Sequence, residues 1–261
     1  QAIRADGRGH VSVRPGGRGV PSQLAGKVTN LLPKRVRSLL IRVHRRLLSS
    51  PIGARVLGYH GTREDLLDYW RSPRDDWNLP SRYLNERASR PFLVEIVRRY
   101  ARPDWKILEI GCNAGANLHH LFRAGFTHLG GIEVNPEAVK LLTATFPKLA
   151  SHAEIYNAPV EDKIRGIPDG AFNIVFTIAV LEHLHRESEW VFREMARVAK
   201  DYLITIEDER SSGWGHFRRN YQEIFERVGL VQVECVDCRG IDGLGGLLCA
   251  CLREASPGCS A

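Results

Sequence analysis

The chain has 261 residues, 43% of them hydrophobic, which is enough to bury a full core, and the length fits one domain with appendages better than two equal domains. No apolar run approaches the roughly 18 residues of a spanning helix, the first residues lack the pattern of a secretory leader, and six cysteines are too few for a disulfide scaffold, so a cytoplasmic location is expected. The net charge of +7 suggests nucleic acid until it is located: residues 1–55 carry twelve Lys and Arg against Asp6 alone, and the remaining 25 basic and 29 acidic residues leave the bulk mildly acidic, which argues against a nucleic-acid partner.

Residues 1–26, rich in Gly, Arg and Pro without an apolar period, are expected to be a disordered basic tail. Residues 27–57 then read as a basic amphipathic helix, because Val36, Leu39, Leu40, Val43 and Leu47 share one face and arginines fill much of the rest. Three uses stay open. The helix packs on the main domain or a second subunit, it lies on an anionic membrane surface through residues 34–48 and makes the protein peripheral there, or it meets nucleic acid. Residues 58–90 alternate Tyr59, Tyr69, Trp70, Trp77 and Tyr83 with charges and prolines; they read as a lid over a ligand, with Tyr69 and Trp70 as substrate contacts, or as an aromatic linker that clasps the core.

Residues 91–255 have a regular rhythm. Helix "FLVEIVRRYA" is followed by strand "KILEIGC", helix "NLHHLFRAG", strand "HLGGIEV", helix "PEAVKLLTATF", strands "AEIYNA" and "FNIVFTIAV", helix "SEWVFREMARVA" and strand "DYLITIED". Such alternation predicts an α/β fold with a mostly parallel sheet covered on both faces. Helix "HFRRNYQEIFERVG" and two strands joined by the glycine-rich "RGIDGLGG" predict an antiparallel hairpin at the end, giving seven strands in a Rossmann-like sheet, with residues 256–261 as a tail.

Ligands of open parallel sheets bind beyond the carboxyl ends of the strands. In "KILEIGCNAGANLHHL", Glu109 ends the strand, and Gly111 and Gly115 allow a tight turn and close approach of backbone N–H groups. Glu133, at the end of "GIEV", can accept hydrogen bonds from both hydroxyls of a ribose. A pyrophosphate would be repelled by Glu109, and "GCNAGA" lacks the middle glycine of a dinucleotide fingerprint.

These motifs, in this order with "FNIVFTIAVLEHL", resemble the class I S-adenosylmethionine-dependent methyltransferases, most closely the small-molecule branch of methyltransferase type 11 that includes the ubiquinone and menaquinone methylases. The resemblance covers about residues 91–253. It implies that Glu109, Gly111 and Gly115 hold the methionine part of S-adenosylmethionine, that Glu133 meets the ribose, and that Cys112, Asn113 and Val134 are further cofactor-binding residues. It further implies that Asn157 and Ala158 lie beside the adenine, with Thr177 and Ile178 below the cofactor. Asn113, Asn157 and Asn173 depart from the pattern, where glycine, aspartate and aspartate are common; an asparagine carbonyl still accepts a hydrogen bond.

The expected activity is methyl transfer to a small-molecule acceptor, a hydroxyl of a sugar, lipid-linked or secondary metabolite, with RNA or protein methylation and a non-catalytic scaffold as alternatives. Glu182 and His183 of "LEHLHRE" stand where the methyl should point, and His183 has a suitable ordinary pKa for a general base; equally, the pair shapes the loop. Glu207, Asp208, Trp214 and His216 are candidates for the acceptor pocket. Cys235-x-x-Cys238 with Cys249-x-Cys251 has the spacing of a thiolate zinc site, but these residues fall in apolar strands and are read as core, so no metal is expected.

Overall fold

An apolar run flanked by turn residues, as around Leu108, favours a strand buried on both faces. In the computed structural model, which describes residues 61–241, 244 and 246–253, that run is part of a seven-stranded sheet. The strands are β1 (Ile107–Ile110), β2 (Leu129–Glu133), β3 (Glu154–Asn157), β4 (Phe172–Ile178), β5 (Ala199–Glu207), β6 (Leu230–Asp237) and β7 (Leu247–Arg253), in the order β3-β2-β1-β4-β5-β7-β6. The first five are parallel, and β7 enters antiparallel between β5 and β6. The strand order reverses between β1 and β4, so a crevice opens beyond their carboxyl ends.

The α-helices longer than four residues are α1 (Arg63–Arg71), α2 (Ser89–Tyr100), α3 (Ala116–Arg123), α4 (Pro136–Thr145), α5 (Trp190–Val198) and α6 (Tyr221–Glu226). Alternation along β4 divides the core. Ile174 and Phe176 pack with Leu93, Ile96 and Leu118 from α2 and α3, while Val175 packs with Phe192, Met195 and Phe225 from α5 and α6. None of the described helices is long and apolar enough to cross a membrane.

One predicted helix is shorter than its sequence suggests. Of residues 216–229, only Tyr221–Glu226 are α-helical, because the preceding stretch is held by the loop after β4. The Phe217 N–H donates to the Glu182 carbonyl at 2.8 Å, and the buried Arg219 guanidinium donates to the carbonyls of Leu181 and Leu184 at 3.0 and 2.8 Å. Asn220 then caps α6 by accepting from the Glu223 N–H.

Ahead of the sheet, α1 starts in a capping box in which Thr62 and Asp65 each accept the other's N–H at 3.1 Å. The basic tail, the helix expected at 27–57 with its membrane-facing stretch 34–48, Tyr59 and the tail at 256–261 lie outside the described residues. Cys238, Cys249 and Cys251 are buried, and Cys238 and Cys251 belong to different core clusters, so the four spaced cysteines do not converge on one point.

Candidate functional site

The turn after β1 is built on two left-handed glycines. Gly111 has φ +75°, and a Cβ there would lie 2.4 Å from a Val180 methyl; Gly115 has φ +73°, and a Cβ would lie 2.5 Å from Leu142. Asn113, between them, is itself left-handed at φ +45°, which asparagine tolerates because its Oδ1 accepts the next N–H, that of Ala114, at 2.8 Å.

Glu133 ties this turn to the one after β2. One carboxylate oxygen accepts the Asn113 N–H at 2.8 Å and the other the Asn135 N–H at 2.7 Å. The residue is 6% exposed, and what remains open faces the cavity described below. Burial pushes its pKa up, and the donated amides pull it back.

Glu109 sits deeper. Its Oε1 accepts from the Asn117 amide at 2.7 Å, while Oε2 is buried without a protein partner. Burial raises its pKa to about 8, opposed by the Asn117 hydrogen bond and reinforced by the Glu133 charge. Between the ordinary carboxyl pKa of 4.5 and about 8, the folded chain therefore binds more protons at Glu109 than the unfolded chain. Its stabilising contribution is complete below that window and lost as pH rises through it. Glu109→Gln keeps the acceptor for Asn117 and removes this loss, so the variant is expected to melt higher than the parent at pH 8 and to match it at pH 5. Melting curves across this range without ligand check it; a pH-independent difference would show that Glu109 is ionised throughout.

A cavity of about 340 Å³ opens at the carboxyl ends of β1, β2 and β4. Gly111, Asn113, Glu133, Val134, Ala158 and Ile178 line it, whereas Glu109, Cys112, Gly115, Asn157 and Thr177 do not. Each of these five is held elsewhere. Cys112 packs against Gly131 in the core, and the Asn157 amide donates to the Glu133 carbonyl at 2.8 Å. The Thr177 hydroxyl donates to Glu207 at 2.6 Å. Asn173 stands at the opposite end of β4, where it accepts the Lys106 N–H and donates to Asp201.

Glu207 had been expected to line the acceptor pocket and does not. It is 1% exposed, and its Oε2 accepts the N–H groups of Val180 and Leu181 at 2.9 and 2.8 Å, fixing the loop after β4. Burial raises its pKa, and the neighbouring Glu182 carboxyl adds to the rise. That loop starts at Ala179, whose φ of +53° is strained for a residue with a Cβ.

Glu182 and His183 follow on this loop. The His183 Nδ1 lies 2.7 Å from the Gly215 carbonyl, and Nε2 lies 3.6 Å from a Glu182 oxygen. A carbonyl only accepts, so Nδ1 carries the proton and Nε2 keeps its lone pair. Burial, and then the His216 ring at 4.4 Å, lower the His183 pKa to about 4, so the imidazole is neutral at pH 7. Burial raises the pKa of Glu182, and the Asp208 N–H donates to it.

The aromatic segment meets this corner. Trp70 lies 4.7 Å from the His183 ring and lines the cavity with His183 and His216. Tyr69 and Trp214 stand behind, edge to face at 5.0 Å, and Asp208 is half-buried but not on the cavity wall. Tyr69 is turned away because its hydroxyl donates to Asp75 at 2.8 Å; burial pushes its pKa up to about 12.

Sequence reasoning overlooked Leu66, Arg63 and Glu161, which also line the cavity. Glu161 is 6% exposed, accepts from the Ser188 hydroxyl at 2.8 Å and has Arg63 at 4.0 Å. Nothing in the local pattern "PVEDK" separates Glu161 from a surface acid.

Residues 108–202 match the family described as "Methyltransferase domain". Ajmaline N-methyltransferase of Rauvolfia serpentina is 31% identical over 94 residues, a match that takes in 36% of this chain and 32% of that one, so the chain spans only part of the length of this curated relative. Magnesium protoporphyrin IX methyltransferase of Synechocystis, solved with bound S-adenosylhomocysteine, superposes with a TM-score of 0.58 at 12% identity, covering 74% of this chain and 100% of that chain. Geranyl diphosphate C-methyltransferase of Streptomyces coelicolor gives 0.55 at 16% identity, with 74% and 99% covered. Residues 108–202 therefore match a methyltransferase domain, and the parallel sheet with its antiparallel last strand has the fold of methyltransferases solved with S-adenosylhomocysteine.

Proposed function

We propose that the protein moves a methyl group from S-adenosylmethionine to a hydroxyl of a small molecule, with the cofactor held at the β1–β2 side of the cavity and the acceptor at the Trp70–His183 side. One observation carries this reading: a single cavity has the Glu133 carboxylate on one wall and the free Nε2 lone pair of a neutral histidine on another. The cofactor supplies an electrophilic methyl on a cationic sulfur, and an oxygen that accepts it loses its proton.

The rest falls to this chain. Each Glu133 oxygen spends one lone pair on a backbone amide and keeps another for a ribose hydroxyl. The Glu109 carboxyl, with one oxygen unpartnered and its pKa raised to about 8, becomes a compensating carboxylate when the cationic amino-acid end is bound beside it. Ile132, Val134, Ala158 and Val160 offer an apolar slot for a flat base. His183 Nε2 takes the hydroxyl proton directly, which needs an oxygen within about 3 Å of it. Leu66, Leu67 and Trp70 favour an apolar or aromatic body on the acceptor over a free sugar. The small-molecule methyltransferases among the similar proteins, including the 1,6-didemethyltoxoflavin-N1-methyltransferase of Burkholderia thailandensis, support an acceptor of that size.

Calorimetric titration with S-adenosylmethionine and S-adenosylhomocysteine tests the cofactor assignment, with micromolar binding of both expected and no heat with either overturning it. A bound ammonium favours the ionised form of Glu109, which is mostly protonated at pH 7 in the free protein. Binding of S-adenosylmethionine is therefore expected to release part of a proton, read as a dependence of the enthalpy on the buffer's ionisation heat. Equal enthalpies in all buffers would remove Glu109 from the cofactor's surroundings. A panel of phenolic and aliphatic alcohols, scored for S-adenosylhomocysteine production, then tests the acceptor class.

A further inference from the structure

At the acceptor corner, Glu182, His183 and His216 each offer one ligand atom, and these atoms all lie within 4.8 Å of one another. They come from two loops, those after β4 and β5, which the Phe217 N–H to Glu182 carbonyl hydrogen bond joins. His183 and His216 line the cavity, and the Glu182 side chain is 9% exposed.

The hydrogen bonds around the three leave ligand atoms free. With the proton of His183 committed to the Gly215 carbonyl, Nε2 presents a lone pair to the nearer Glu182 oxygen. The other Glu182 oxygen accepts the Asp208 N–H, which orients the carboxylate. A nitrogen and an oxygen therefore face each other across 3.6 Å, too far for a hydrogen bond and with no proton on the imidazole to share. Two ligands bound at about 2.0–2.2 Å to a tetrahedral zinc ion stand about 3.4 Å apart. An imidazole whose second nitrogen is tied to a backbone carbonyl is also the usual arrangement around such an ion.

We propose that Glu182, His183 and His216 form a binding site for a first-row divalent cation, with a fourth position open to the cavity. Two imidazoles and one carboxylate suit zinc or cobalt better than the hard, oxygen-seeking magnesium or calcium. The ion takes the same Nε2 lone pair that the methyl-transfer reading above gives to the acceptor's proton, so ion and proton compete. The inhibitory consequence rests on that reading; the binding site does not.

Zinc titration of the full chain by calorimetry, followed by visible absorption of the cobalt-substituted protein, tests the site. One equivalent is expected, with cobalt bands of nitrogen and oxygen ligation, and His216→Ala and Glu182→Gln are each expected to weaken zinc at least tenfold. The two variants reach the ion from different loops, and melting curves show that each is folded. Failure of zinc to bind, or unchanged affinity in both folded variants, overturns the proposal. A strong thiolate-to-cobalt band overturns it too, by putting the ion on the cysteines. Zinc binding without S-adenosylmethionine binding would leave the site standing and sink the methyl-transfer reading; the reverse result would do the opposite.

Discussion

His183→Ala is expected to lower the single-turnover rate of methyl transfer roughly 10²- to 10⁴-fold, the usual contribution of a positioned general base, while the affinity for S-adenosylhomocysteine changes little. The separation of the two effects follows from position. His183 stands at the Trp70 side of the cavity, and its ring is packed between Trp70 and His216 rather than against Glu133 or the glycine turn. Its lowered pKa makes it a weak base in the free protein, so it must take the proton as the hydroxyl becomes acidic during attack on the methyl. A rate loss below about fivefold, with intact folding, would assign His183 to shaping the loop after β4, since one positioned base contributes far more than that. Calorimetry with S-adenosylhomocysteine on the same sample keeps the two readings apart.

Glu133→Ala is expected to weaken S-adenosylhomocysteine about 10²-fold or more, because two hydrogen bonds to a charged acceptor contribute about 1.5–3 kcal/mol each. The same carboxylate also holds the two turns by their Asn113 and Asn135 amides, so the variant is expected to melt lower as well. Glu133→Gln separates these roles less cleanly than an isostere normally does. Its single carbonyl oxygen satisfies one of the two amides, and its NH₂ must face the other, donor against donor. It is therefore expected to lose both affinity and stability, and melting curves with and without ligand measure both. Unchanged affinity in both variants would remove Glu133 from the cofactor site.

Much of this was legible along the chain because it depends on local chemistry. A run such as "KILEI" must be buried on both faces, and a carboxylate followed by glycines four apart marks a strand-to-helix turn with exposed amides. The parts that were not legible depend on partners distant in sequence. Glu207 and Glu182 are both acids near the carboxyl end of a strand, yet one is consumed in fixing the loop of the other, and only the pairing of β4 with β5 decides which. The helix expected from His216 starts at Tyr221 because Arg219 is claimed by carbonyls 35 and 38 residues away. Asn157 and Ala158 are neighbours with the same expected role, and β-strand alternation with one amide hydrogen bond turns only Ala158 to the cavity.

The sequence by itself determined the strand and helix order, the parallel sheet with its antiparallel end, and the two turns to which we assign the cofactor, since periodicity, glycine and terminal acids act over a few residues. Tertiary structure alone decided which of the named side chains reach the cavity, that Glu109 keeps an unpaired oxygen behind its wall, and that Glu182, His183 and His216 meet. The physical reason is that burial and long-range hydrogen bonds set both the direction of a side chain and its charge, and neither is a property of the residue or its neighbours in the chain.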